Sequence, residues 1–500
     1  MKYTSSLFIS FIVVLIACCT SVKNAGFSEK EPEQYLQLDK TTLGITTIAE
    51  NITIPWEITW GPDNWIWYSE QAGKIWKVNP ETGEKKHLLT IPDVWMKRTT
   101  GLLGMAIHPN QKEFPYLFVD YTAEKEKTYI TKLVRYEIAD DTLINPSVLL
   151  EIEASTGHNG SRLVLQDDHH LFWATGDVAK KGYAQDSTKL NGKVLRLKTD
   201  GSVPADNPIP GSYVYAWGLR NMQGMAISDK GEVYVSEHGD AIEDEINHIR
   251  PLQNYGWQDI EGFHDTEAEK AFAAKHLTTE PLIAWTPTIA PAGLDFYGHD
   301  NIPEWKNTLL LTSLKNSSLR VLKLNEEGDK ILSDEIILKD HYGRLRDLCV
   351  SPSGDVYLST SNRDWNPGKG FPQVQDDRIL KLSVVKKAKN TPLNLLQKEI
   401  ALQDQQKGAM LYSQYCQSCH KENGEGVPGT FPTLKGSQLV KGTPQPLIGI
   451  VLKGTSSELA MPAFGFLSDE DVAAVVTYIR TSWDNQATEI APWDVKLVRR

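Results

Sequence analysis

The residues whose types and spacing most directly imply chemistry are Cys416, Cys419 and His420, in the run Cys416-Gln417-Ser418-Cys419-His420. Cys-x-x-Cys-His is the attachment signal of c-type haem: the two thiols add across the vinyl groups, and the adjacent imidazole becomes an iron ligand. A disulfide or a zinc pair is the competing use, but no second cysteine pair completes a zinc site among the five cysteines. The iron's other side follows by elimination. After His420 the chain has no further histidine and a single methionine, Met461. Met/His ligation fills both axial positions and suits electron transfer.

The elements that must position these ligands are helical. A helix near Leu402 to Tyr415 leads into the haem motif. Ser468-Asp469-Glu470-Asp471 reads as a capping box, and it opens a helix with Val472, Val475, Val476 and Ile479 on one face. Ala460-Met461-Pro462-Ala463 reads as loop. Helix, haem motif, methionine loop and terminal helix together resemble a small class I cytochrome c over about residues 403–485. Such a domain moves electrons and does no substrate chemistry, so the rest of the chain is expected to be the electron source.

Five hundred residues imply more than one domain, and a net charge of −12 argues against a nucleic-acid partner. An apolar run from Leu7 to Ala17, too short to span a bilayer, ends in Leu15-Ile16-Ala17-Cys18, which resembles a bacterial lipobox. Cleavage before Cys18 would leave a lipid-anchored, exported protein. Haem attachment also requires export, so the expected location is the periplasm, with Cys19 after the anchor favouring the outer membrane. A plain secretory peptide is the alternative. Cys349 is expected to be a small buried residue. The expected plan is a signal peptide 1–17, a tether 18–39, a first domain 40–385, a linker 386–402, the cytochrome 403–485 and a tail 486–500.

Between residues 40 and 385 one phrase recurs six times: an apolar strand, a turn with Asp or Gly, and a second strand rich in aromatic and β-branched residues. Its copies begin at Ile58, Met105, Leu163, Met225, Leu294 and Leu348. Six four-stranded units closing in a ring make an all-β six-bladed β-propeller, followed by the small all-α cytochrome. A β-sandwich is the other all-β option, but it seldom repeats one phrase so regularly.

Propellers host many functions, so loop chemistry must decide. Arg344-Leu345-Arg346 precedes a strand, and alternation would put both guanidinium groups on one face. Taken alone, it reads better as a solvated basic edge partly neutralised by Asp347. Arg220-Asn221, Lys315 and His158 also fall in loops bounding the repeats, and propeller loops converge at the channel mouth. Together they suggest a pocket for a polyanion beside one imidazole.

Several runs then carry a family resemblance: Gly157-His158-Asn159-Gly160-Ser161-Arg162-Leu163, Gly218-Leu219-Arg220-Asn221-Met222-Gln223-Gly224 and Glu237-His238-Gly239-Asp240. Asp244-Glu245-Ile246-Asn247, Asn254-Tyr255-Gly256-Trp257, Thr288-Ile289-Ala290-Pro291 and Arg344-Leu345-Arg346-Asp347 continue the series. In this order they are similar to the soluble glucose/sorbosone dehydrogenases, aldose sugar dehydrogenases that use pyrroloquinoline quinone (PQQ).

The resemblance implies that Lys315, Arg344 and Arg346 hold the PQQ tricarboxylate, with Arg220, Asn221 and Thr288 as further contacts. It implies a calcium ion on main-chain oxygens of Gly239 and Asp240, polarising the quinone carbonyl. His158 matches the general base that removes the sugar C1 hydroxyl proton while hydride leaves C1, and Arg220 would stabilise the negative charge that develops. The reduced cofactor would pass single electrons to the fused haem, and the cytochrome to another cytochrome, a copper protein or the respiratory chain. Thr99, Gly157 and Asp240 depart from the family's usual Gln, Asp and Pro. These changes put glucose itself in doubt more than PQQ. Asp244 and Glu245 offer a second, structural calcium site or a solvated acidic turn. A lactonase or carbohydrate-binding propeller is the rival reading, but neither needs Lys315, Arg344 and Arg346 around one pocket. An eight-bladed alcohol-oxidising quinohaemoprotein would carry adjacent cysteines by its quinone, and here the adjacent pair is Cys18-Cys19.

Overall fold

The computed structural model describes residues 30–393, 407–455, 461–483 and 485–499. The export signal, Cys18 and most of the expected linker lie outside the described residues.

Six antiparallel sheets form the first domain. Their innermost strands are Pro55–Trp60, Leu102–Ile107, Gly160–Leu165, Met222–Ile227, Pro291–Tyr297 and Leu345–Val350, numbered here as blades 1 to 6. Each packs on the next, and the sixth returns to the first, which closes a six-bladed propeller. The recurring phrase of the sequence is the inner hairpin of each blade. Its turns show why the phrase needs Gly or Asp: Gly231 and Gly354, both at φ 81°, occupy left-handed positions in two of them.

The ring is closed by chain ends. In blade 6 the strands Leu345–Val350, Val356–Thr360 and Ile379–Val384 are completed by Thr42–Ala49 from the opposite end of the domain. Gln34–Gln37 adds a fifth strand outside it. The domain therefore begins before residue 40, inside the stretch expected to be a tether, because Tyr35 and Leu36 are buried. The start of the expected linker is also held, with Leu393 paired to Leu36 and packed on the core.

Six apolar clusters sit between adjacent blades, as with Tyr68 and Tyr357 between blades 1 and 6. Both faces of each middle strand are thus covered, so Ile66–Glu70, Val233–Glu237 and Val356–Thr360 are buried throughout. Cys349 is buried between blades 6 and 1 as expected. The central channel is filled by charge. Arg162 of blade 3 pairs with Glu57 of blade 1 and, at 3.0 Å, with Asp347 of blade 6. Asp347 also accepts the Ile58 N–H at 2.7 Å. It is therefore occupied in the channel, and among the described residues the ion-pair partner of Arg344 and Arg346 is Asp364 instead.

The C-terminal domain is helical. Lys407–Tyr415 packs on Asp469–Thr481, with Pro444–Lys453 and Pro492–Arg499 beside them. Val472, Val475, Val476 and Ile479 are buried, as their spacing predicts. The expected tail beyond residue 485 is corrected by the structure. Ile490 and Val495 enter this core, and residues 492–499 are helical because Val495 and Val498 reach it from one face.

Candidate active site

Antiparallel blades put two sets of loops at one end: those leading into innermost strands and those joining second to third strands. His158, Arg220, Asn221, Thr288 and Arg344 belong to the first set. Lys315, Gly239 and Asp240 belong to the second. Residues up to 188 positions apart, from His158 to Arg346, thereby meet at one mouth.

His158 sits at the end of its loop with φ 51° and a side chain 27% exposed. Its Nδ1–H donates to Asp177 Oδ1 at 2.9 Å, which leaves Nε2 as the basic nitrogen. Burial in the mouth and the neighbouring Arg220 charge lower the imidazole pKa, while Asp177 resists. Asp177 is itself held: Trp257 Nε1 donates to its Oδ2 at 2.7 Å, and its backbone N–H donates to the Arg220 carbonyl at 2.8 Å. Burial works to raise the Asp177 pKa, but His158 and Arg220 outweigh it and keep the group ionised. Asp177 was not singled out from the sequence. The available signal was Gly176 before it, where a Cβ would meet the His158 carbonyl oxygen at 1.9 Å. That backbone crossing is what brings Asp177 to His158.

Arg220 donates to the His238 carbonyl at 3.2 Å and pairs with Asp240 at 2.9 Å. Its guanidinium lies over the Trp257 ring, and its Nε is buried with no hydrogen-bond partner among the described residues. Asn221 turns its amide oxygen to the Gly160 N–H, tying its loop to the His158 loop. Lys315 Nζ donates to Thr288 Oγ1 at 2.8 Å, and burial lowers its pKa against the pull of Asp244.

Arg344 and Arg346 do share a face. Both reach Asp364, Arg344 at 2.9 Å and Arg346 at 3.5 Å. One carboxylate thus serves two guanidinium groups. Arg346 stacks on Trp56 at 3.8 Å, and its Nε too is buried without a hydrogen-bond partner among the described residues. Burial pushes its pKa down to about 9 despite Asp364. Asp364 is the second residue that sequence reading missed, since nothing local marks it as the partner of arginines 18 and 20 residues upstream.

Four cations, Arg220 paired with Asp240, Arg344 and Arg346 sharing Asp364, and Lys315 on a neutral hydroxyl, form a cradle for a polyanion with the Nε–H donors of Arg220 and Arg346 to spare, and the expected tricarboxylate fits it. For calcium, no hydrogen bond among the described residues ends on the Gly239 or Asp240 carbonyl, so both stay available as ligands. Asp244 and Glu245 are already engaged. Asp244 accepts the Gly239, Ile289 and Ala290 N–H groups. Glu245 accepts from Gly262 N–H and Asn247. Asp244 therefore braces the Gly239 loop against the Thr288 loop. Among the described residues no cluster of three acidic, His or Cys side chains is arranged for a metal.

The second site is apolar. A cavity of about 700 Å³ is lined by Cys416, Cys419, His420 and Met461, with Phe464 and Val475 among its walls. His420 Nδ1–H donates to the Pro432 carbonyl at 3.0 Å, so Nε2 is the nitrogen available to iron. Burial pushes the Cys416 thiol up to about 12. Two thiols, an oriented imidazole and a thioether around one apolar cavity fit a covalently held haem.

The two sites adjoin. Lys97, Arg98 and Thr156 of the propeller also line the haem cavity, and Thr156 stands two residues before His158. Arg98 lies over Trp365 and over Phe431 of the cytochrome, and those two rings are 5.7 Å apart. Lys369 pairs with Glu422 at 2.6 Å, and Lys421 donates to Asn366.

Comparison with known proteins agrees with both halves. Residues 52–366 match the glucose/sorbosone dehydrogenase family, and residues 403–479 match the family of subunit III of cbb3-type cytochrome c oxidase. Quinoprotein glucose dehydrogenase B of Acinetobacter calcoaceticus is 30% identical, covering 69% of this chain and 91% of its own. The PQQ-bound aldose sugar dehydrogenase of Streptomyces coelicolor superposes with a TM-score of 0.60 at 29% identity, over 69% of this chain and 98% of its own. Cytochrome c-552 of Thermus thermophilus is 36% identical over 89 residues, 15% of this chain and 67% of its own. With the propeller, its cationic mouth and the haem cavity already in place, these matches identify the chain as a member of the glucose/sorbosone dehydrogenase family that carries a fused C-terminal cytochrome c domain.

Proposed function

We propose that this chain is a PQQ-dependent sugar dehydrogenase that oxidises an aldose, or a related hydroxy-aldehyde such as sorbosone, at C1 to the lactone or acid, and delivers the electrons to its own c-type haem. The observation that carries this reading is the His158–Asp177 pair beside Arg220, in a mouth where Arg344 and Arg346 share the one carboxylate of Asp364. PQQ would be held by Lys315, Arg344 and Arg346, with calcium on Gly239 and Asp240, and it supplies a quinone able to take two electrons from the sugar. Haem would be held by Cys416, Cys419, His420 and Met461.

The side chains then divide the work. His158 Nε2 takes the proton of the C1 hydroxyl, and Asp177 keeps the ring in the right tautomer and steadies the imidazolium. The Arg220 guanidinium, close enough to lower the His158 pKa, favours negative charge developing beside the imidazole. Thr288 keeps Lys315 aimed, and Asp364 keeps both arginines fixed before an anion arrives. Trp257 and Trp56 cover the guanidinium faces and exclude water from them. The lipobox-like Leu15–Cys18 run supports anchoring in the periplasm at the outer membrane, with a further redox protein as the final acceptor.

The test is reconstitution of the haem-loaded chain with PQQ and calcium, with a panel of aldoses, following the haem absorption bands. Sugar-driven haem reduction that needs PQQ is the expected result. Dye reduction with the haem left oxidised would show an active pocket uncoupled from the cytochrome. No binding of PQQ would overturn the reading.

A further inference from the structure

Between the propeller mouth and the cytochrome lies a cavity of about 1040 Å³. Thr288, Lys315 and Arg344 line it from the propeller, and Gln417, Ser418 and Lys421 line it from the haem motif. Its lysines fall into two groups. Lys339 pairs with Asp340 at 3.3 Å, and Lys369 with Glu422 at 2.6 Å. Lys315 and Lys421 have only neutral acceptors among the described residues, Thr288 Oγ1 and Asn366 Oδ1.

Lys421 is held in this position by a short relay. Its ammonium donates to Asn366, whose backbone N–H donates to Asp364 at 2.9 Å, and Asp364 holds Arg344 and Arg346. The only carboxylate in that relay already serves two guanidinium groups. A further ammonium brought to the same wall adds repulsion, unless an anion occupies the cavity. A surface lysine with no such role would turn to solvent, since a single bond to a neutral amide is weak compensation for losing rotamer freedom.

We propose that Lys421 is a cofactor-binding residue supplied by the cytochrome domain: docked on the mouth, it completes the cationic ring around the polycarboxylate. This rests on the PQQ reading above. Its consequence is linkage: whatever binds the docked state more tightly also favours docking, so PQQ and the cytochrome stabilise each other's position on the propeller. The fused domain would then be part of the cofactor site as well as its electron acceptor.

The experiment is a PQQ titration of the full-length, haem-loaded, calcium-supplied protein, read by tryptophan fluorescence and calorimetry with no sugar present. Lys421→Gln is expected to weaken PQQ about tenfold, the lower end for a charge-assisted hydrogen bond at a partly exposed site. Lys421→Arg is expected to restore most of the affinity, which a merely structural role for the lysine would not predict. Lys421 adjoins His420, so the haem bands of each variant are recorded first. Asn366→Leu leaves the haem motif untouched and is the second variant, expected to weaken PQQ by a smaller factor. Limited proteolysis of the chain between the domains should slow on adding PQQ in the wild type and not in Lys421→Gln. Unchanged affinity in both Lys421→Gln and Asn366→Leu overturns the proposal. Failure of the wild type to bind PQQ overturns the dehydrogenase reading instead, and the two failures are thereby distinguished.

Discussion

The two sites of this chain solve opposite problems. The propeller mouth gathers like charges on loops of several blades and holds three guanidinium groups with two carboxylates, Asp240 and Asp364, and two tryptophans. The haem cavity is mostly apolar and is built mainly from the stretch between Tyr415 and Ile479, with Lys97, Arg98 and Thr156 of the propeller also lining it. An anion that fits the first gains from charge already in place. A large apolar ring that fits the second gains from burial, and needs its thioether bonds to be kept. Charge preorganised for a ligand destabilises the empty protein, whereas an apolar cavity does so by missing contacts. Mutations at the two sites should therefore differ in kind.

The sharpest contrast is chemical. His158→Ala is expected to lower turnover by about 10²- to 10⁴-fold, the range for loss of a general base. PQQ affinity and the haem spectrum should stay as in the wild type. Rapid-mixing measurement of haem reduction at saturating sugar checks it. A loss confined to PQQ affinity would mean that His158 only shapes the pocket.

The next effect is on stability. Asp364 is buried, and removing one member of a buried charge pair costs about 3–5 kcal/mol because the other is left uncompensated. Asp364→Asn should lower the propeller's unfolding temperature in the absence of PQQ, and added PQQ should recover more stability in this variant than in the wild type. Equal recovery in both would show that the arginines do not await an anion. Asp364 also shows what the sequence could not disclose. The six repeats and the haem pentapeptide are local patterns, so the propeller, the helical domain and the four residues that meet at the apolar cavity, Cys416, Cys419, His420 and Met461, could be named from the sequence. The cationic set was readable because its members lie in recognisable runs. Asp364 and Asp177 are single carboxylates among 64 acidic residues, and their partners are set by blade closure alone. The strand at Gln34 and the helix after Pro492 were missed for a related reason, since each is short and owes its form to the surface it packs on.

Asp177→Asn keeps the shape of the pair and removes its charge, with an expected loss of about 10²-fold, at the lower end of the general-base range. Its pH dependence has a definite sign. His158 works as the neutral base, so kcat/KM falls as pH drops through its folded pKa, which burial and Arg220 place below the ordinary imidazole value. Asp177 is what holds that pKa up. Without its charge the acid limb should move to lower pH while the plateau falls. A limb that moved to higher pH would mean that Asp177 acts on some other group.

The smallest effect separates the domains. Ser468 Oγ accepts the Asp471 N–H at 3.1 Å and caps the helix Asp469–Thr481, which supplies Val475 and Ile479 to the haem cavity wall. Ser468→Ala should cost about 1 kcal/mol, the usual value of an N-cap side chain. The loss should appear in thermal unfolding followed at the haem bands and be absent from the propeller transition. Docking adds a condition. If the cytochrome and PQQ stabilise one another's position on the mouth, a domain loosened by this amount loses part of its docked population, and PQQ binding weakens slightly. If the domains are independent, PQQ affinity is untouched. A change of one cap, far from either cofactor, thus reports whether the charged mouth and the apolar cavity are two sites in series or one coupled site.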